Sequence, residues 1–174
     1  MSEKGFVQVY TGCGKGKTTA ATGLIVRALG QGFRVLLVRF LKTSDEPSGE
    51  LIFLRNAQNL EIISSGIGIL RKPVNMEEVR SSVAKTFALA RQKILAGALD
   101  LVVLDEINNV LSKKLLLLQE VVELIGQRPT GTELVLTGRH APAEIIAKAD
   151  LVTRMEKVKH PFDRGIGARR GIEY

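Results

Sequence analysis

The chain has 174 residues, enough for one compact domain and too few for two comfortable ones. With 45% hydrophobic and 25% charged residues it has the balance of a soluble globular protein, and no apolar run approaches the length of a membrane span. The net charge of +7 suits a polyanionic nucleotide as well as it suits nucleic acid, but no Lys/Arg cluster is interleaved with the aromatics on which single-strand binders stack bases. Cys13 is the only cysteine, which excludes an internal disulfide and fits a reducing compartment. Charges stand directly before the first hydrophobic run (Glu3, Lys4), so no signal peptide is read there. The expectation is a cytoplasmic protein with neither a membrane nor nucleic acid as partner.

In chain order, Phe6–Tyr10 predicts the first strand. It runs into Thr11-Gly12-Cys13-Gly14-Lys15-Gly16-Lys17-Thr18-Thr19, a phosphate cradle opening a helix through Ala20–Ile25. Gly12, Gly14 and Gly16 allow backbone conformations closed to other residues and let the chain approach an anion. Lys17 can set an ammonium against phosphate oxygens, and Thr18 can place a hydroxyl on Mg²⁺. The helix start adds unpaired N–H groups and the positive end of its dipole. The usual pattern has Gly five residues before Gly16; here that residue is Thr11.

Arg34–Phe40 and Leu60–Ser64 predict the second and third strands, each followed by a long irregular stretch, Leu41–Gly49 and Gly66–Val74. Met76–Ala96 reads as a helix, with Met76, Val79, Val83, Phe87, Ala90 and Ile94 at steps of three and four. Asn75 is its cap and Gly97 its stop. Leu99–Asp105 is a strand that ends in two acids, Asp105 and Glu106; in P-loop enzymes such an Asp fixes Mg²⁺ against the phosphates. Asp100 stands at the opposite end of that strand. Leu115–Ile125 reads as a helix stopped by Arg128-Pro129, and Thr132–Thr137 as the fifth strand. After it, Thr137-Gly138-Arg139-His140 places Arg139, a forked donor for phosphate, on the ligand edge, with His140 a polar loop residue beside it. Leu151–Lys157 is the sixth strand, and the tail from His160 carries three glycines and no period. Alternating strands and helices predict a three-layer α/β/α P-loop domain over residues 1–174, with a mostly parallel sheet and ligands at the carboxyl ends of the strands.

These residues together resemble the P-loop type of ATP:corrinoid adenosyltransferase, also called cob(I)alamin adenosyltransferase. The likeness runs through Val9-Tyr10-Thr11-Gly12, Gly14-Lys15-Gly16-Lys17-Thr18-Thr19-Ala20-Ala21, Val102-Val103-Leu104-Asp105-Glu106, Thr137-Gly138-Arg139 and Ala149-Asp150-Leu151-Val152. It ends in Lys159-His160-Pro161-Phe162-Asp163, Gly165-Ile166, Ala168 and Gly171-Ile172-Glu173-Tyr174, and so covers nearly the whole chain. The resemblance implies transfer of the 5′-deoxyadenosyl group of ATP to the Co(I) of a corrinoid, with release of tripolyphosphate. ATP lies reversed in the loop in that family, its γ-phosphate where other P-loop proteins hold an inner phosphate. Co(I) is the nucleophile, so no catalytic side chain is implied. Carried onto this chain, Gly12, Cys13, Gly14, Lys15, Gly16, Lys17, Thr18, Thr19 and Arg139 bind ATP, while Thr18, Glu106 and Asp105 organise Mg²⁺. The resemblance also implies an electron donor and a homodimer.

Two departures stand out. The family's loop after the third strand carries a Phe and a Trp that displace the lower axial ligand of cobalt; here the matching residues are Ile67 and Ile69, and the chain has no Trp. The first strand stands at the start of the sequence, so the N-terminal extension that in some members covers a partner's site is not expected here. Two other classes share a phosphate loop. A recombination or motor ATPase would use Glu106 to activate water, but the chain shows no arginine-finger context, oligomerisation segment or aromatic platform. A small-molecule kinase would need an arginine-rich lid and an acceptor base that no segment clearly provides.

Overall fold

The computed structural model describes residues 4–42, 48–68 and 75–174. Six strands form one sheet: β1 (Val7–Thr11), β2 (Val35–Arg39), β3 (Leu60–Ser64), β4 (Leu101–Asp105), β5 (Glu133–Thr137) and β6 (Leu151–Arg154). Every pairing is parallel, in the order β3-β2-β4-β5-β1-β6, so all carboxyl ends lie along one edge. That edge brings Thr11, Arg39, Asp105 and Thr137 together, although up to 126 positions of sequence separate them.

The helices are α1 (Lys17–Gly30), α2 (Gly49–Leu54), α3 (Met76–Leu95), α4 (Ile107–Ser112), α5 (Leu118–Gln127) and α6 (Ala143–Lys148). Two apolar clusters separate along the pleat, because successive strand residues face opposite sides. Val35 and Leu37 of β2 and Leu101 and Val103 of β4 pack with Ala21, Ile25 and Ala28 of α1 and Leu54 of α2. Leu36, Val38, Val102 and Leu104 face the other way, against α3, α4, α5 and Ile145 of α6. A sheet covered on both faces requires strands apolar throughout, and β2 and β4 are buried at every position.

Local signals account for most element ends. Asn75 caps α3 by accepting from the Glu77 N–H at 2.9 Å, and Gly97 follows the helix at φ 78°. Met76, at the head of the apolar period, is half exposed, so the buried stripe begins at Val79. The predicted helix from Leu115 begins later, at Leu118: Leu115 and Leu116 are buried in irregular chain, and apolarity alone does not distinguish that from helix. Arg128 ends α5 by folding back on carbonyls, donating to Ile125 at 2.7 Å and Gly5 at 3.0 Å. The sixth strand stops at Arg154, short of the expected Lys157, and its four residues are exposed at the sheet edge. The short helices α2, α4 and α6, six residues each, are too brief to show a period in the sequence.

Among the described residues no helix is long and apolar enough to cross a membrane. Replacing fully buried Ile25 with Ala is expected to lower unfolding free energy by about 2–5 kcal/mol in urea titration, since it opens a cavity between α1 and the sheet. Ile52→Ala on α2, where the side chain is half exposed, is expected to stay within about 0.5 kcal/mol.

Candidate functional site: a phosphate loop opening into a large cleft

The loop between β1 and α1 is shaped as much by its neighbour as by any ligand. A Cβ at Gly12 would lie 2.3 Å from the Met155 carbonyl oxygen, and one at Gly14 would lie 2.7 Å from that of Glu156. The chain leaving β6 thus crosses directly against the loop. The Gly14 N–H donates to Met155 O at 2.8 Å, so this amide is already used within the protein. Gly16, at φ 117°, makes the left-handed turn into α1. Thr11, the departure from the usual glycine, is buried and its hydroxyl accepts from the Ala141 N–H at 3.2 Å, tying the loop to the β5–α6 connection.

Lys17 folds over the loop and donates to the carbonyls of Gly12 at 2.8 Å and Gly14 at 2.6 Å. Its pKa is lowered, first by burial and then by the Arg139 guanidinium. Two cations held close enough to repel one another make a receptive place for a polyanion. Lys15 points elsewhere: its ammonium meets Glu173 Oε1 at 2.9 Å and Ile172 O at 3.1 Å.

Asp105 is the hub beneath the loop, only 1% exposed. Its Oδ1 accepts from Thr18 Oγ1 at 3.0 Å and Thr137 Oγ1 at 2.6 Å, and its Oδ2 pairs with Lys42 Nζ at 2.6 Å. Glu106 follows in the left-handed region at φ 67°, a costly conformation for a side-chain-bearing residue. Its N–H donates to Thr137 Oγ1 at 3.0 Å and its carboxylate accepts from Asn109 Nδ2. Burial, then the charge of Asp105, pushes the Glu106 pKa up. Asn109 also accepts from the Arg139 N–H at 2.6 Å, so one amide sets both Glu106 and the Arg139 backbone. Gly138, at φ 128°, permits this: a Cβ there would lie 2.9 Å from Asn109 N.

Residues Cys13 to Thr19 line a cleft of about 1270 Å³, together with Glu106, Arg139, Lys42, Arg39 and the last residues of the tail. That exceeds the roughly 300–1,000 Å³ of a site for one drug-sized ligand. Gly12 packs behind the loop instead, and Asp105 lines a small separate cavity under α1. Leu41 and Ile67 contribute an apolar part of the cleft wall; Ile69 lies outside the described residues, as do parts of both long loops. His140 is an exposed loop residue at φ 56°, away from the cleft lining. Among the described residues no group of three or more His, Cys, Asp or Glu could hold a metal by itself. Thr18, Asp105 and Glu106 are nonetheless hard oxygen donors at one edge, which fits Mg²⁺ completed by substrate phosphates in place of a full protein cage.

Sequence reasoning missed four contributors. Lys42 and Arg39 carry no motif, and only the pairing of β2 with β4 sets them beside Asp105. Asn109 stands three residues after Glu106, a helical step that hints at the contact. Glu173 belongs to the tail signature, but its contact with Lys15 needs the tail to return across the whole domain.

The tail contact is pH-sensitive. The Glu173 carboxyl is held down to about 2, first by hydrogen bonding from Arg169 and then from Lys15. A carboxyl with a depressed folded pKa stabilises above its unfolded value near 4.5, and that contribution disappears as pH falls toward about 2. Amide chemical shifts of residues 171–174 are therefore expected to hold steady near about pH 6 and move between about pH 4 and pH 2, and Glu173→Gln should abolish the transition. Unchanged shifts in the native protein across that range would refute the docked tail.

The model of the family described as ATP:corrinoid adenosyltransferase BtuR/CobO/CobP matches residues 3–174. The corrinoid adenosyltransferase of Escherichia coli is 36% identical over 174 residues, covering all of this chain and 88% of that protein. Corrinoid adenosyltransferase CobA of Salmonella typhimurium is 35% identical, again over all of this chain and 88% of its own length. The Pseudomonas aeruginosa corrinoid adenosyltransferase is 35% identical over 99% of this chain and 85% of its own. Among solved structures, a KaiC-like protein from Pyrococcus horikoshii superposes with a TM-score of 0.54 at 14% identity, over 90% of this chain and 74% of that one, a likeness of fold alone. With the phosphate loop, the Asp105–Glu106 edge and the tail all within one matched span, the chain belongs to the ATP:corrinoid adenosyltransferase family.

Proposed function

We propose that this enzyme transfers the 5′-deoxyadenosyl group of ATP to the Co(I) of a corrinoid and releases tripolyphosphate. The observation that carries this reading is one cleft of about 1270 Å³ joining the phosphate loop to the apolar wall at Leu41 and Ile67. It is large enough for a nucleotide and a second, partly apolar ligand together. The cobalt supplies the electron pair. It attacks C5′, the C5′–O bond breaks, and the triphosphate departs with that bond's electrons. The protein's share is positioning and charge stabilisation.

Cys13 to Thr19, with Gly12 shaping the turn, hold the triphosphate, and Arg139 adds a second cation beside Lys17. ATP lies reversed, so that C5′ faces the corrinoid and not the loop. Lys17 leaves the carbonyls of Gly12 and Gly14 for the leaving group, exchanging neutral acceptors for anionic oxygens. Thr18 and Glu106 hold Mg²⁺, with Asp105 orienting Thr18 from below. A Mg²⁺ ion held by these residues would supply positive charge against the departing triphosphate. Ile67 and Ile69 press on the lower face of the corrin and exclude its axial ligand by apolar bulk. An electron donor reduces the cobalt, and the enzyme acts in the cytoplasm as a homodimer. The exposed edge strand β6 is consistent with pairing to a second copy.

Product analysis tests the central claim. With MgATP and chemically reduced corrinoid, adenosylcorrinoid and tripolyphosphate are expected in equal amounts; ADP with phosphate would show hydrolysis instead. Lys17→Ala is expected to reduce turnover about 100-fold or more, the scale of losing one charge-stabilising donor. For the corrin face, cob(II)alamin with MgATP should give a four-coordinate spectroscopic signal that weakens in Ile67→Ala and Ile69→Ala. If signal and rate survive both changes, that assignment is wrong.

A further inference from the structure

The end of the cleft between α1 and α2 holds polar groups that the chemistry above does not use. Arg39, the last residue of β2, is 5% exposed, and its side chain lines the cleft. Its guanidinium has no hydrogen-bond or ion-pair partner among the described residues. Asp105, its cross-strand neighbour in β4, has committed its oxygens to Thr18, Thr137 and Lys42. The Ser48 hydroxyl, at the head of α2, is likewise buried without a partner and lines the same cleft. A buried donor left unmade costs more than the bond itself contributes, and a buried unpaired cation costs more still. Groups of this kind call for a ligand.

Glu50 supplies the opposite polarity. It lines the cleft beside Arg39; burial disfavours the guanidinium's charge, and Asp105 and then Glu50 favour it, yet Arg39 and Glu50 form no ion pair among the described contacts. Donors and an acceptor thus stand side by side, with no partner for them among the described residues. A phosphate or carboxylate would satisfy Arg39 and Ser48 but would be repelled by Glu50. A primary carboxamide satisfies all three, because its carbonyl oxygen accepts while its NH₂ donates. Arg39 and Glu50 also line, with Thr18 and Asp105, the small cavity under α1. On the α1 side the cleft lining continues through Thr22, Gly23 and Val26, up to eight residues beyond Thr18, a rise of about 12 Å.

We propose that Arg39, Ser48 and Glu50 form a subsite for a primary carboxamide on the rim of the corrinoid, making this enzyme selective for amidated over carboxylated corrin side chains. The assignment rests on the adenosyltransferase reading for the identity of the ligand. Arg39 and Ser48 receive the carbonyl oxygen, and Glu50 receives the amide N–H. On this assignment they set corrinoid specificity and take no part in breaking the C5′–O bond.

The test compares two probes: cobinamide, with its rim amides intact, and a corrinoid whose rim amides have been hydrolysed to carboxylates. Binding of each in the Co(II) state is titrated by absorbance in the presence of MgATP, alongside KM values for corrinoid and for ATP. The native enzyme is expected to bind cobinamide about tenfold more tightly. Arg39→Met should weaken cobinamide about tenfold while leaving the KM for ATP unchanged, and Glu50→Gln should erase most of the preference by admitting the carboxylated probe. Should Arg39→Met fail to fold, judged by thermal melting, Ser48→Ala carries the same comparison with a smaller expected loss. Equal affinity of the native enzyme for both probes overturns the proposal. So does a rise in the KM for ATP in place of corrinoid, which would put the nucleotide in this subsite. Failure of the adenosyltransferase reading would look different: the native enzyme would make no adenosylcorrinoid from competent Co(I), whatever the titrations gave.

Discussion

The carboxylate of Asp105 is the interaction on which the arrangement of this edge depends. Buried at the end of β4, it draws in Thr18 from α1, Thr137 from β5 and Lys42 from the chain beyond β2. One side chain therefore ties together three strand ends and the helix that opens the phosphate loop. A buried carboxylate is tolerable only with such a full set of donors, because each missing one would leave charge uncompensated in a poor dielectric. Two hydroxyls and one ammonium supply that set. The same contacts fix the rotation of α1 about its start, and hence the direction in which its free N–H groups face.

Around this hub the chain accepts local strain. Glu106 stands in the left-handed region, held by the Thr137 hydroxyl at its amide and by Asn109 at its carboxylate. Such conformations persist where surroundings over-determine them, and they concentrate at functional sites. The phosphate loop follows a similar logic. Gly12 and Gly14 lack side chains because the chain after β6 passes within contact of them, so the loop rests on a rigid backing. A loop supported from behind presents its amides in a fixed geometry, which favours charge stabilisation without rearrangement during reaction.

The cleft grades from charge to apolarity. Lys17 and Arg139 gather at the loop, Leu41 and Ile67 form an apolar stretch of wall, and Arg39, Ser48 and Glu50 add polar groups to the same lining. A triphosphate needs the first environment and a flat macrocycle the second. The tail closes part of the opening, with Lys15 held by Glu173 and the Ile172 carbonyl. Exposed ion pairs of this kind are weak, so the tail docks without locking.

The sequence alone determined the features that arise from neighbours along the chain. Strand, loop and helix at Phe6–Ile25 follow from an apolar run, glycines and a Gly-Lys-Thr start, and the two acids closing Leu101–Asp105 mark a ligand edge once the strand is recognised. The Met76–Leu95 helix declares itself by period and by its Asn75 cap. Family membership was legible because signatures at both ends of the chain could be read together. What required the fold was every contact set by strand order. Arg39 and Lys42 carry no local signal, and they meet Asp105 only because β2 pairs with β4 across more than sixty residues of chain. The glycines of the loop read as space for an anion, whereas the crossing of Met155 and Glu156 shows that they also make room for protein. Periodicity reports which face of an element is buried; it carries no information about which distant element buries it.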